Sequence, residues 1–155
     1  MTEAGVSRMP RVVPPFYFLG GLVLMVALHQ LAPARTLLSW PASLAGLIPV
    51  ALGFALSGQA AARFRRVGTP IRPGSEATAL VRDGPFRFTR NPMYLGMTLI
   101  LLGIALLLGS LSPLLVPPLF MALITALFIR REERWMEETF GESYRSYRRR
   151  VRRWI

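Results

Sequence analysis

Two short stretches hold most of the side chains in this sequence that could do chemistry. The first runs from Arg90 to Gly96 and contains Asn91 and Tyr94, and the second begins Arg130-Arg131-Glu132-Glu133. Hydroxyl, amide and carboxylate groups can hold a polar ligand, and arginines can hold an anion. The chain has no Cys and a single His, which excludes thiolate and multi-histidine metal sites. The two stretches therefore indicate a site of hydrogen-bonding and charged groups without a metal.

Four apolar segments must position these stretches. They cover about residues 14–31, 41–62, 92–108 and 113–129, and a helix needs about 20 residues to cross a bilayer core of about 30 Å. The 155 residues are 52% hydrophobic but carry a formal net charge of +11, which fits a membrane protein with basic edges. The predicted fold is all-α and integral to the membrane, with four transmembrane helices in two hairpins and one domain. The first apolar segment is long for a cleavable signal and is interpreted as a retained span.

The arginines predict the orientation of the chain in the membrane. All nineteen basic residues are Arg, and eighteen of them precede the first span or lie in loop 63–91 or tail 130–155. Four spans place these three regions on one side, which the positive-inside rule assigns to the cytosol. We therefore expect both termini on the cytosolic side of the cell (inner) membrane.

Local signals refine the predicted helices. Asn91 and Pro92 predict an N-cap and a first helical position. Pro117 and Pro118 predict a kink or unwinding early in the fourth span. The tail predicts a helix over about residues 130–147, with Gly141 as an interruption.

Glycines indicate how the spans pack. Gly46 and Gly53 are seven residues apart, as are Gly96 and Gly103, and this spacing allows helices to approach closely inside the protein. His29, near the end of the first span, is interpreted as a polar packing residue rather than a catalytic one.

Composition alone also allows a simpler interpretation of both stretches. Loop 63–91 could be a basic interfacial loop, and the tail could be an amphipathic helix whose arginines contact anionic lipid rather than nucleic acid. That interpretation explains less well why Glu132 and Glu133 stand where the fourth span leaves the membrane.

The two stretches together resemble the isoprenylcysteine carboxyl methyltransferase family and its relatives among phospholipid methyltransferases. The family pattern is Leu-Val-x-x-Gly-x-aromatic, then Arg-His-Pro-x-Tyr-x-Gly, and about forty residues later Glu-Glu followed by Phe-Gly-x-x-Tyr-x-x-Tyr. The matching residues here are Leu80-Val81, Gly84, Phe86, Arg90-Asn91-Pro92-Met93-Tyr94-Leu95-Gly96, Glu132-Glu133, Phe140-Gly141, Tyr144 and Tyr147.

The resemblance implies a membrane methyltransferase that uses S-adenosylmethionine as methyl donor. It implies that the cytosolic loop and C-terminal helix form the cofactor site, which is lined by Thr78, Ala79, Leu80, Val81, Phe86, Asn91, Pro92, Met93, Tyr94 and Glu132. Tyr94 and Glu132 are also the expected catalytic residues, with Glu132 favoured over Glu133. Arg131 is expected, with Arg130 as the alternative, to hold an anionic acceptor.

Two positions depart from the family pattern. Asn91 replaces the family histidine, so it can still position a cofactor by hydrogen bonds but cannot transfer a proton near neutral pH. Thr78 stands where the family can have a further histidine.

The expected acceptor is lipophilic, because the reacting face lies at bilayer depth. A prenylated cysteine carboxylate, a phospholipid amine or another small nucleophile all fit, and a gap between spans three and four is one candidate entry. A small four-helix transporter is disfavoured because the apolar segments contain no Asp, Glu, Lys or Arg. A non-catalytic membrane scaffold is the other alternative.

Overall fold

The described part of the chain folds entirely into helices and connecting loops. The computed structural model describes residues 13–68 and 79–155 and contains no strand within them. Three short 3₁₀ turns and one π-helical segment adjoin the main helices: Ala42–Gly46, Gly84–Arg87, Ser112–Leu115 and Thr125–Ile129. The main helices are α1 (Pro14–Leu31), α2 (Leu47–Val67), α3 (Pro92–Leu108), α4 (Val116–Ile124) and α5 (Arg130–Arg150).

These helices confirm the all-α membrane class. Three helical stretches are long and apolar enough to cross a membrane, Pro14–Leu31, Ala42–Val67 and Ser112–Arg150, and α3 is a shorter apolar helix of 17 residues. The third stretch is longer than a span because the π segment leads from α4 into α5 without a loop. α1 and α3 have the bounds predicted for the first and third apolar segments.

The second helix extends further than predicted. α2 continues to Val67, so Arg63, Arg65 and Arg66 lie on its last turns rather than in a loop. Arginine is a good helix former, and the helix ends only where Gly68 adopts a left-handed conformation with φ of +68°.

Of the two predicted hairpins, α3 and α4 pack on each other, but α1 and α2 do not. α3 lies at the centre, with α2 along one side and α1 and α4 along the other. α1 therefore packs on α3 and α4 rather than on α2, its partner in the predicted first hairpin. Chain proximity favours pairing across a short connection, but the shape of α2 fits α3 better.

That fit comes from the glycines of α2 and α3. A Cβ built on Gly53 would lie 2.5 Å from the carbonyl oxygen of Gly96, and Gly46 and Gly103 face each other in the same way. The two backbones are thus in direct contact, and the seven-residue spacing of the glycines allows this close approach. The first turn of the fourth span, Ser112–Leu115, is 3₁₀ rather than α, and Pro117 and Pro118 then lie in the first turn of α4, where a missing N–H is tolerated. The π segment was not predicted.

The two ends of the bundle are fastened differently. At one end, His29 Nδ1 lies 2.8 Å from Ser110 Oγ, and the amide of Leu37 donates to the carbonyl of Gly109 at 2.7 Å. We call this the neutral end. At the other end, which we call the Arg-rich end, α2 finishes and α3 and α5 begin. His29 has the packing role predicted for it.

Candidate functional site

Tyr94 and Glu132 meet at the Arg-rich end. Tyr94 lies in the first turn of α3, which Pro92 starts, and Glu132 lies in the first turn of α5, directly after the π segment. The Tyr94 hydroxyl donates to Glu132 Oε1 at 2.8 Å. Tyr94 is buried and Glu132 half-buried, so this hydrogen bond joins the two sequence stretches at the edge of the apolar core.

The neighbouring carboxylate has a different set of partners. Glu133 accepts two hydrogen bonds from Arg153, at 2.9 Å from Nε and 2.6 Å from Nη2. It also pairs with Arg90 Nη2 at 3.1 Å, and Arg90 Nη1 donates to the Tyr144 hydroxyl at 3.2 Å. We call these four residues the Glu133 network. Hydrogen bonding to Glu133 raises the pKa of Arg153 above its usual range, so Arg153 stays charged.

Arg90 and Glu133 of the Glu133 network are almost withdrawn from water, whereas Arg153 is partly exposed. The side chains of Arg90 and Glu133 are only 9% and 12% exposed. Two guanidinium groups around one carboxylate leave a local positive charge, and Nε of Arg90 is a buried donor without a hydrogen-bond partner in the described structure. Glu133 is therefore occupied by structural partners, and Glu132 is the carboxylate that faces α3.

The last residues of the chain, 151–155, return to the start of α3. The amide of Arg90 donates to the Arg152 carbonyl at 3.0 Å, and the Thr89 hydroxyl donates to the Arg153 carbonyl at 3.1 Å. The Asn91 side chain donates to the same carbonyl at 3.0 Å. Asn91 is at the predicted N-cap position, but its side chain makes no cap hydrogen bond and holds the C-terminal segment instead.

An apolar layer supports the loop before α3. Val81 and Phe86 are buried against Ala60 and Phe64 of α2, with the rings of Phe64 and Phe86 edge to face at 5.2 Å. Met93 packs on the same cluster. These contacts bring the loop residues of the predicted cofactor site to the same end of the bundle as Tyr94.

The tail closes the other side of that loop. Tyr144 and Tyr147 are buried and pack with Leu80, and the Tyr147 hydroxyl donates to the carbonyl of Phe86 at 2.7 Å. Gly141 has non-helical φ and ψ angles of 51° and −126°, so it interrupts α5 as predicted. The bend lies just before the turn that carries both tyrosines.

The structure brings most of the predicted site residues to one end of the bundle. Pro92 is fully buried, Ala79 is partly buried, and Arg131 is half-buried next to Glu132 in the first turn of α5. Thr78 lies outside the described residues. The cofactor and catalytic roles assigned to all these residues stay predictions.

Sequence reasoning missed part of the site. Arg153 resembles the other arginines of a basic tail, so nothing local marks it as the partner of Glu133. The one available signal is Glu133 itself, since a carboxylate beside an apolar segment requires a cation nearby.

Comparison with known proteins gives the family of the chain. Residues 42–143, about two thirds of the chain, match the phospholipid methyltransferase family, and this range contains both Tyr94 and Glu132. An uncharacterized protein of Haemophilus influenzae is 43% identical over 63 residues, which are 41% of this chain and all of that protein.

A second relative is the protein-S-isoprenylcysteine O-methyltransferase of Schizosaccharomyces pombe. It is 35% identical over 72 residues, and the match covers 46% of this chain and 30% of that enzyme. No solved structure matches the chain. These findings confirm the resemblance read from the two stretches: the chain belongs to the phospholipid methyltransferase family and is similar to isoprenylcysteine methyltransferases.

Proposed function

We propose that this protein is an S-adenosylmethionine-dependent methyltransferase that acts at the membrane surface on a lipophilic acceptor. Family membership supports methyl transfer, and three membrane-length helices support an acceptor dissolved in the bilayer. The observation that carries the proposal is the 2.8 Å hydrogen bond between Tyr94 and Glu132, because it joins two separate family motifs in one place.

The groups at the Arg-rich end fit S-adenosylmethionine. The cofactor has a carboxylate, an ammonium, ribose hydroxyls and an adenine ring. The buried Nε donor of Arg90 suits an anionic group. The Glu132 carboxylate suits an ammonium or hydroxyls, and the layer of Val81, Phe86 and Met93 offers an apolar wall.

Catalysis here depends mainly on alignment. When bound, S-adenosylmethionine supplies a methyl group on a positively charged sulfur, which leaves as a neutral thioether as the acceptor's lone pair forms the new bond. The Tyr94 hydroxyl fixes the orientation of the Glu132 carboxylate, and holding reactants in line can lower a barrier by several kcal/mol, up to about 7–11 in favourable cases. Arg131 would hold the head group of an anionic acceptor.

The acceptor's proton separates two candidate substrates. A prenylcysteine carboxylate can be methylated without losing a proton, whereas a phospholipid amine must give one up. Glu132 is the carboxylate placed to receive it. The pH profile of methyl transfer should therefore differ between wild type and Glu132→Gln if the substrate is an amine, and should be the same for both if it is a carboxylate.

We also propose that α5 lies on the cytosolic leaflet. Its exposed arginines partly pair with glutamates of the same helix. Glu137, for example, pairs with Arg148 at 2.8 Å and with Arg145 at 3.1 Å. Such a helix keeps a positive excess that anionic lipids attract.

Binding of radiolabelled S-adenosylmethionine to the purified protein in nanodiscs tests the proposal. Wild type should bind, and Tyr94→Phe and Glu132→Gln should each weaken binding about tenfold or more, since a hydrogen bond to a charged group contributes about 1.5–3 kcal/mol. Glu138→Gln is the matched control because Glu138 is exposed on the same helix.

Membranes supplied with methyl-labelled cofactor should also yield a labelled lipophilic product. Wild-type protein that folds but neither binds the cofactor nor forms such a product would be a non-catalytic scaffold, and the proposal would be wrong.

A further inference from the structure

We infer that a groove between α1 and α4 holds the apolar chain of the methyl acceptor. This inference rests on the proposed function and extends it by assigning a binding surface to the substrate's chain. The groove has a volume of about 390 Å³, which is within the range of about 300–1,000 Å³ usual for small-molecule sites. Its lining residues are Phe16, Tyr17, Gly20, Gly21, Leu24, Val116, Leu119, Phe120 and Leu123.

Two neighbouring glycines of α1 line the groove, the exposed Gly20 and the buried Gly21. A Cβ built on Gly20 would meet no atom within 4 Å, whereas one on Gly21 would lie 3.4 Å from Val116. Gly20 thus leaves space beside the α1 backbone, which contrasts with the glycines between α2 and α3, where the neighbouring backbone fills the space.

One end of the groove lies next to the helical turn that precedes Glu132. The ring of Tyr17 contacts the ring of Phe128 edge to face at 5.6 Å, and Phe128 lies one helical turn before Glu132. Phe128 and Tyr94 belong to one continuous apolar cluster. A chain lying in the groove would therefore point its polar end towards Glu132.

The polarity of the lining gives the same direction. Tyr17 carries the only side-chain polar atom among the lining residues, and it stands at the end of the groove nearest Phe128. The rest of the lining is aliphatic or phenyl, which suits a prenyl or alkyl chain attached to a small polar head group.

The location differs from the gap between spans three and four considered from the sequence. Leu101 and Ala105 of α3 and Phe120 and Ile124 of α4 are buried in one cluster, with at most 3% of each exposed. The interface of α3 with α4 is closed by these side chains, and the groove lies on the α1 side of α4.

Photo-crosslinking in nanodiscs tests the inference. The probe is an N-acetylcysteine thioether with a diazirine in its alkyl chain, and a phosphatidylcholine with the same diazirine chain reports general lipid contact. We expect the thioether probe to label peptides of α1 and α4 selectively, and the phosphatidylcholine to label all lipid-facing helices.

A matched pair of glycine variants makes the test specific. Gly20→Leu fills the groove and should reduce thioether labelling of α1 and α4 about tenfold, a loss of about 1.4 kcal/mol of binding. Gly58→Leu adds the same side chain at an open position on α2 and should leave labelling unchanged. Leu123→Ala, which widens the groove and adds no bulk, should keep the thioether labelling of α1 and α4.

The outcomes separate the groove from the function. Equal labelling by both probes, or equal labelling of Gly20→Leu and Gly58→Leu, would overturn the groove and mark it as ordinary lipid contact. If wild type labels selectively but does not bind S-adenosylmethionine, the groove is a lipid-binding site, and both the methyltransferase proposal and the acceptor role of the groove fail. If it binds the cofactor without selective labelling, only the groove fails.

Discussion

The two ends of the helix bundle solve the same problem with different chemistry. At the neutral end, loops are joined by backbone and uncharged side-chain hydrogen bonds, such as that between His29 and Ser110 at 2.8 Å. At the Arg-rich end, the loop before α3 is joined to the C-terminal segment through Glu133, Arg90 and Arg153, which are charged. Within the described residues the first end is fastened without an ion pair, and the second contains buried ions.

This difference indicates which end has a task beyond holding the fold. Burying an ion pair rarely adds stability compared with an apolar contact of the same size. Moreover, Arg90 keeps a buried donor without a partner in the described residues. The half-buried Glu132 is the neighbour of Glu133 in the sequence. Neutral hydrogen bonds would have joined the loops with a smaller desolvation penalty. The charges at the Arg-rich end therefore fit a ligand site better than a purely structural one.

Removing Glu133 should have the largest effect on the stability of the Arg-rich end. Glu133→Ala leaves the buried Arg90 without its counter-ion, so we expect the free energy of unfolding to fall by about 3–5 kcal/mol. Chemical denaturation in detergent micelles measures this loss.

The control for that change is Glu137→Ala on the same helix. Glu137 pairs with Arg145 and Arg148, which are about half exposed, at 3.1 and 2.8 Å, and such surface pairs contribute about 0–1 kcal/mol. Equal losses for the two variants would show that the Arg-rich end is held by shape rather than by charge.

The glycines and tyrosines show how far the sequence predicts this arrangement. Periodicity and apolar length predict the helices because both follow from local residue order, and the contact of Gly53 with Gly96 follows from spacing. The convergence of Tyr94 with Glu132 was predicted through the family resemblance, since the two residues are 38 positions apart and no local rule connects them.

Contacts that depend on the C-terminal segment could not be predicted from the sequence. The carbonyl of Arg153 accepts from Thr89 and Asn91, and a backbone carbonyl leaves no mark in the sequence. The order of packing around α3 was also missed, because short connections suggest two hairpins while the choice of partner depends on tertiary shape.

A change at Asn91 tests whether this residue of the Arg-rich end has a structural role or contacts the cofactor. Asn91→Ala removes the hydrogen bond to the Arg153 carbonyl, which should cost about 1 kcal/mol. Hydrogen exchange of the Arg90 amide, which donates to Arg152, should speed up accordingly. Weaker S-adenosylmethionine binding with unchanged exchange at Arg90 would instead assign Asn91 to direct contact with the cofactor.

The smallest effect is expected at the neutral end. Ser110→Ala removes the hydrogen bond to His29 but keeps the backbone bridge between Ser110 and Thr36, so the free energy of unfolding should fall by only about 1 kcal/mol. Cofactor binding per folded molecule should not change, because Ser110 lies at the opposite end of the bundle from Glu132. Unfolding and binding measured on the same preparation check both expectations. A loss of binding without a loss of stability would mean that the two ends are coupled through α3, since Tyr94 lies in the first turn of this helix and Gly109 caps its C-terminal end.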